Sequence, residues 1–397
     1  MKILAIETSC DETGLAIVDI EQPDASAASI TVLAESLLSQ ALLHAEYGGV
    51  YPSLAKREHS KNLGPLFVEL LTQAGMLTQT QAPEISKDSI GVIKDLLERE
   101  PELFIHLATL LAQIEKPPLD AIAVTHGPGL EPALWVGVNF AKALSHAWNI
   151  PILPMNHMEG HLAAGLAQPL DDTHFTITQP KLPALALLLS GGHTELVLIK
   201  NWFDGTHTNS YEKIGSTRDD AVGEAFDKSA RLLGIPYPGG PEISKLAAQA
   251  RAGNLPQPYS LPRPMLATND YDFSFSGLKT AVRNLVESIA SPTDIQKKQI
   301  ARELEDAITE VVVAKTMRAI DEFGVRSLIV GGGVSANAYI RTALTEALAD
   351  YDGFTLYLPA PSLSTDNGLM IGFAAALHTI PTKTPTDLSA NGNLSLR

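Results

Sequence analysis

The sequence predicts an α/β protein built from two duplicated lobes around a central cleft, and three observations carry that prediction. A strand, a polar turn and a second strand open the chain at residues 2–20, and a related pattern recurs at residues 184–200. In each half a later apolar strand runs through a glycine-rich turn into a helix, and such alternation defines α/β architecture. The length of 397 residues is ample for two to three domains at about 150 residues each.

The first hairpin reads ILAI, then the polar stretch Glu7 to Gly14, then LAIV. Next, AIAVTHGPGLEPALWVG marks a strand entering a helix that runs to about Trp148. Between them, residues 79–116 form a helical insertion, with stretches at Ile90 to Leu97 and Leu103 to Ile114 whose apolar residues recur at helical spacing. Its apolar stripe is expected to cover its own lobe, with docking of a partner or tRNA as the alternative. The second half opens with ALALLLS, the turn Gly191-Gly192-His193-Thr194-Glu195, and LVLI. It continues through SLIVGGGVSANAYI into a helix to about Leu348. The expected division is a first lobe at 1–156, a second at 157–365, a closing helix at 366–380 returning to the cleft, and a tail at 381–397 that lacks periodicity and is expected to fray. Polar hairpin tips of both lobes face the cleft, the default ligand site of such proteins.

Hydrophobic residues make up 45% of the chain and charged residues 19%, which excludes disorder as the main state. The 29 basic and 45 acidic residues give a net charge of -16, so a nucleic-acid partner needs a local basic patch. Cys10 is the single cysteine, which excludes an internal disulfide and fits a reducing compartment. Two acids follow the short apolar run at the amino terminus, so it reads as a strand rather than a signal peptide. The longest apolar stretch, Ala184 to Leu189, is too short to span a bilayer. A soluble, cytoplasmic protein is expected, with no membrane partner.

His157 and His161, at i and i+4, project from one face of a helix and can share a metal. Glu159 lies roughly 200° around that helix from His157, so it cannot serve as a zinc peptidase's general base. Asp366, in a polar loop before the apolar helix IGFAAAL, is the best third ligand, with a plain helix N-cap as its alternative. Two histidines and a carboxylate leave open coordination positions and suit Fe(II) or Zn(II). Glycine-rich turns at Thr125 to Gly129, Ser190 to Gly192 and Gly331 to Asn337 let backbone amides approach an anionic ligand, although tight strand-to-helix turns use glycine anyway. Glu224 and Asp227, three apart on a predicted helix, can face one ligand or pair with Lys228 and Arg231.

Ten motifs in one order span nearly the whole chain: IETSCDETGLAIVD, HAEYGGVYPSLAKREH, THGPGLEPALWVG, NHMEGHL, LLLSGGHTELV, DDAVGEAFDKSARLLG, YPGGP, FSFSGLKTA, VGGGVSANAYIR and the Thr365-Asp366-Asn367 loop. Through them the chain resembles the bacterial tRNA N6-adenosine threonylcarbamoyltransferase family, once described as glycoprotein endopeptidases. The resemblance implies the actin, Hsp70 and sugar-kinase fold. It also implies transfer of the threonylcarbamoyl group from threonylcarbamoyl-adenylate to N6 of the adenosine 3′ of the anticodon, in tRNAs reading codons that begin with A. Matched residue by residue, His157, His161 and Asp366 are implied as ligands of one divalent ion per subunit, iron ahead of zinc. Leu188, Leu189, Ser190, Gly191, Gly192, Asp227, Gly240 and Asn337 are implied to hold the adenylate. Asp11 and Glu12 at the first hairpin tip are proton acceptors for the amine or polar organisers of the cleft, and His193 is the other ionisable candidate. The implied partners are tRNA, threonylcarbamoyl-adenylate, an inactive paralogous subunit of the same fold and a small P-loop ATPase. Phosphate contacts fall to Lys56 and Arg57 with His59 and Lys61, to Lys213 with Arg218, and to Lys279 with Arg283, each with a solvated helix face as its plain alternative. Most relatives lack the 79–116 insertion. The alternatives are an ATPase or kinase of the same fold, a metallopeptidase, and a non-enzymatic scaffold.

Overall fold

The structure is a computed structural model that describes residues 1–24, 27–80, 85–202, 210–379, 384–385 and 387–396. Residues 81–84 of the expected insertion, residue 380 of the closing segment, and residues 381–383, 386 and 397 of the tail lie outside them.

Two sheets form the frame. The first holds β1 (Lys2–Glu7), β2 (Glu12–Asp24), β3 (Ala27–Ser39), β4 (Ala121–Gly127), β5 (Ile152–Asn156), β6 (Gln168–Pro169) and β7 (His174–Thr178). The second holds β8 (Ala184–Leu189), β9 (Thr194–Asn201), β10 (Ser210–Ser216), β11 (Ser327–Gly331) and β12 (Thr355–Tyr357). Each has the same heart: β3-β2-β1-β4-β5 in one and β10-β9-β8-β11-β12 in the other. The first three strands of each set pair antiparallel and the last two join in parallel. The duplication expected from the two hairpins is therefore a duplication of whole sheets. Strands β6 and β7 extend the first sheet beyond β3, although they follow residue 156 in the chain.

The helices are α1 (Ala41–Ala45), α2 (Pro52–Gln73), α3 (Lys87–Leu96), α4 (Pro101–Leu111), α5 (Glu131–Trp148), α6 (His157–Leu166), α7 (Val222–Leu232), α8 (Gly240–Ala252), α9 (Ser276–Ile289), α10 (Asp294–Phe323), α11 (Ala338–Ala347) and α12 (Gly368–Ala375). Insertion helices α3 and α4 bury Ile93, Leu103 and Leu107 in the same core as α2 and α5, covering their own lobe. No helix among the described residues is long and apolar enough to cross a membrane.

Strand periodicity divides the cores. On β1, Ile3 and Ala5 face a core shared between the lobes, while Leu4 and Ile6 face α2 and α5. On β8, Ala184, Ala186 and Leu188 face the shared core and Leu185, Leu187 and Leu189 the second lobe's own. The shared core is filled by α6 and α12, which follow β5 and β12 and are thus equivalent elements of the duplication. They cross over: α6 packs on β8 and β11 of the second sheet, α12 on β1, β2 and β3 of the first, and each packs on the other. Alanine on the facing strands keeps these approaches close.

The tail does not fray where it is described. Leu388, Ala390 and Leu396 are buried, Asn391 N–H donates to the His126 carbonyl at 2.8 Å, and Lys142 Nζ donates to the Leu388 carbonyl at 2.7 Å. The segment docks through backbone groups, which leaves no side-chain period in the sequence.

Candidate active site

The crossing of α6 and α12 brings their amino-terminal ends together. Asn156 caps α6, its Oδ1 accepting from Met158 N at 2.8 Å, and Asn367 caps α12, accepting from Met370 N at 2.9 Å. The N-cap role considered for Asp366 therefore belongs to its neighbour, and the Asp366 carboxylate is free to face the histidines. His161 Nε2 lies 3.1 Å and His157 Nε2 3.7 Å from Asp366 Oδ1, and one donor atom from each of the three falls within 4.8 Å of the others. The imidazoles meet edge to face at 4.7 Å.

Neither ring nitrogen of buried His161 makes an aligned hydrogen bond, an arrangement that costs free energy unless something else ligates it. His157 Nδ1 lies 3.0 Å from Ser9 Oγ and 3.5 Å from Glu7 Oε2. Glu7, fully buried, also accepts from Ser9 N at 2.6 Å and from the Thr125 hydroxyl. A proton on Nδ1 facing these oxygens leaves the Nε2 lone pair for a metal, the usual support for a ligating histidine. The convergent donor set thus fits a divalent ion. Burial opposes charge on His157, but Asp366 and Glu7 outweigh it and raise its pKa to about 9. Burial likewise opposes charge on Asp366, and the two histidines hold its pKa down to about 2. Glu159 points elsewhere, its Oε2 2.7 Å from His378 Nε2 and its Oε1 accepting from the Tyr211 hydroxyl at 2.6 Å.

At the first hairpin tip, Asp11 is buried and its Oδ2 accepts from the Tyr237 hydroxyl at 3.4 Å. Glu12 is a different group. Burial, then the Asp366 and Asp11 carboxylates, push its pKa up to about 10, which favours the role of polar organiser over that of proton acceptor while those carboxylates carry their charge. His193 is pushed down to about 4 by burial, then by His157 and His161, and stays neutral.

Ser190, Gly191 and Gly192 form the tip of the β8–β9 hairpin rather than a strand-to-helix turn, closed by Ser190 N to the His193 carbonyl at 2.9 Å. Leu188 and Leu189 are fully buried, so only their backbone can meet a ligand. A Cβ on Gly191 or Gly192 would meet nothing within 4 Å. Protein packing therefore does not demand glycine there, and the room lies open to a bound molecule. Asp227 Oδ1 accepts from Gly239 N at 2.7 Å and Gly240 N at 3.1 Å at the start of α8, while its Oδ2 accepts no hydrogen bond from the described residues. Burial raises its pKa. Glu224 is drawn off into an ion pair with Lys228 at 3.4 Å.

Asn337 is already engaged. Its Oδ1 caps α11 by accepting from Ile340 N at 2.9 Å, and its Nδ2 donates to buried Glu305 Oε1 at 2.7 Å. The basic clusters divide similarly. Lys56 pairs with Glu100, Arg57 and Lys61 with Glu58, Lys213 with Glu195, and Arg218 with Asp270 and Asp272, while His59 is buried. Lys279 and Arg283 on α9 have no acidic partner among the described residues.

Sequence reasoning missed Glu7 and Ser9 as supports of His157. The available signal was a glutamate ending an otherwise apolar strand. It also missed Tyr237, which reaches Asp11 from across the cleft.

The frame and site together define a two-lobed α/β protein with a His-His-Asp trio where its equivalent helices cross. A family model described as tRNA N6-adenosine threonylcarbamoyltransferase matches residues 31–82 and 103–373. A Chromobacterium violaceum protein of that name is 42% identical over 383 residues, covering 95% of this chain and 93% of the relative. Among solved structures, component A of the Acidaminococcus fermentans (R)-2-hydroxyglutaryl-CoA dehydratase superposes with a TM-score of 0.46 at 14% identity, over 95% of this chain and 96% of that one. Nucleotide-bound full-length HypF gives 0.45 at 14% identity, over 70% and 41%. The chain belongs to the tRNA N6-adenosine threonylcarbamoyltransferase family, and its reaction is transfer of a threonylcarbamoyl group to N6 of adenosine in tRNA. The internal gap in the family match, 83–102, contains α3.

Proposed function

We propose that the donor is threonylcarbamoyl-adenylate, that the acceptor is the adenosine 3′ of the anticodon, and that both meet between the Ser190 to Gly192 tip and the His157–His161–Asp366 trio. The observation that carries this reading is the trio itself, whose donor atoms lie within 4.8 Å of one another around buried His161. His157, His161 and Asp366 would hold one divalent ion, iron ahead of zinc, and such an ion supplies Lewis-acid polarisation of a carbonyl when bound.

The remaining work falls to the chain's own groups. The backbone amides at Gly191 and Gly192 approach the donor's carbonyl and phosphate region, where no side chain intrudes. Asp227 Oδ2 accepts from a ribose hydroxyl, and Gly240 lies beside it at the start of α8. Asn337 acts indirectly, by holding the turn after β11 through Glu305 and α11. As the N6 amine bonds to the carbamoyl carbon, the bond from that carbon to the phosphate oxygen breaks, AMP leaves and the amine gives up a proton. Asp11 is the acceptor within the cleft, oriented by Tyr237, and Glu12 beside it is a polar organiser of the cleft, its pKa raised by burial. The reading includes a cytoplasmic setting, an inactive paralogous subunit and a small P-loop ATPase as partners.

The test is mass spectrometry of nucleosides from unmodified tRNA incubated with metal-loaded protein, its partners and threonylcarbamoyl-adenylate. Modified adenosine with the wild type and none with His161→Ala is the expected result. No product from a competent wild-type assembly overturns the reading.

A further inference from the structure

We propose that the pocket between the α1–α2 turn and the carboxyl end of α7 holds an unpaired nucleotide of the tRNA, its base lying on the Tyr47–Tyr51 stack and its phosphate on Arg231. The proposal deepens the transfer reading and rests on it for the identity of the RNA.

The pocket encloses about 340 Å³, at the small end for ligand sites, and both lobes line it. Glu46, Tyr47 and Gly48 come from the first lobe, and Asp227, Arg231 and Tyr237 from the second. Two of these belong to the candidate active site: Asp227 faces the donor and Tyr237 holds Asp11. The pocket is therefore a side chamber of the transfer cleft, suited to what flanks the reacting nucleotide.

Its rim has the chemistry of single-stranded RNA recognition. Tyr47 and Tyr51 stack at 5.7 Å and 17° between planes, yet they remain 63% and 54% exposed. Large rings ordered in parallel with an open face are a platform for a base. Arg231 makes no ion pair or hydrogen bond with the described residues. Its guanidinium instead lies against the backbone of Gly48, where a Cβ would sit 2.8 Å from Nη2. Gly48 has φ +70 and Gly49 φ +151, so glycine both permits the turn and admits the guanidinium. On a chain of net charge -16, an unpaired cation beside exposed aromatics is a local exception to the surrounding field. The Glu46 carboxylate at the pocket's edge accepts hydrogen bonds from base amino groups, and a phosphate stays at the Arg231 side. Leu42 and Leu43, also exposed on α1, line none of this pocket.

The test is equilibrium binding of a fluorescently labelled, unmodified tRNA transcript to the metal-loaded full chain at several salt concentrations, beside single-turnover transfer with threonylcarbamoyl-adenylate. Tyr47→Ala, Tyr51→Ala and Arg231→Ala should each weaken tRNA binding roughly tenfold and leave donor binding unchanged. Tyr47→Trp should keep wild-type binding, which a structural or hydroxyl role would not allow. Arg231→Ala should lower the salt slope by about one. Leu42→Ser should leave tRNA binding alone. Binding within twofold of wild type for all three alanine variants overturns the proposal, as does a loss confined to Leu42→Ser, which would assign this face to a protein partner. A wild-type chain that bound tRNA through Tyr47 and Arg231 yet never modified it would sink the transfer reading and leave the pocket assignment standing.

Discussion

Gly331, at the end of β11, lies so close to His161 that a Cβ there would sit 2.7 Å from the His161 carbonyl oxygen. Gly368 makes the reciprocal approach: a Cβ on it would sit 2.5 Å from the Leu15 carbonyl carbon on β2. These two contacts seat the helices that carry the metal-ligand candidates on opposite sheets. Gly331→Ala is expected to push α6 off β11, lowering stability by about 1–3 kcal/mol through overpacking. Bound metal measured by elemental analysis should fall with it. Gly333→Ala, where a Cβ meets nothing within 4 Å, should leave both unchanged and is the control.

That crossing explains what was legible in the sequence and what was not. Apolar runs such as Ala184 to Leu189 announce a buried strand, but an unbroken run does not say that its even and odd residues enter different cores. The His157–His161 spacing was readable because it is local to one helix. Asp366 was a candidate on loop chemistry alone, since only the tertiary crossing separates it from the capping role of Asn367. Glu12 looked like Asp11's equal in the polar turn. Burial beside the Asp366 and Asp11 carboxylates raises its pKa, and burial is a property of the folded cleft.

The hairpin tip offers a clean separation of folding from binding. Gly191→Ala and Gly192→Ala add a methyl group where the protein has no atom within 4 Å. Thermal unfolding should stay within about 0.5 kcal/mol of wild type, as for other surface substitutions. The KM for threonylcarbamoyl-adenylate should rise about tenfold or more. A substantial fall in Tm with an unchanged KM would mean that the glycines serve the fold.

Removing one ligand should separate the metal from the fold. His161→Ala deletes an imidazole that faces Asp366 Oδ1 at 3.1 Å and makes no other hydrogen bond with the described residues, so the loss falls on the ligand cluster. The variant should lose the ion in elemental analysis and lose transfer, while remaining folded by circular dichroism. Glu159→Gln, on the far side of α6 and bonded to His378 and Tyr211, should retain the ion. Metal loss in Glu159→Gln with retention in His161→Ala would overturn the ligand assignment.

Acid stability should depend on His59. Its Nε2 lies 3.0 Å from the Cys10 carbonyl, which can only accept, so Nε2 carries the proton and Nδ1 accepts from the Thr13 hydroxyl at 2.7 Å. Burial pushes the pKa of this neutral ring down to about 4, against 6.5 as its ordinary value. The unfolded chain therefore binds the extra proton first as pH falls. Stability present above pH 6.5 is lost progressively down to about pH 4, by roughly 3 kcal/mol from this group at 1.36 kcal/mol per pKa unit. Urea unfolding of wild type and His59→Gln at pH 7 and pH 4 measures it. The variant should be less stable at pH 7 and lose less on acidification, because glutamine has no proton to gain. Equal acid losses in the two proteins would show that His59 does not titrate in this window.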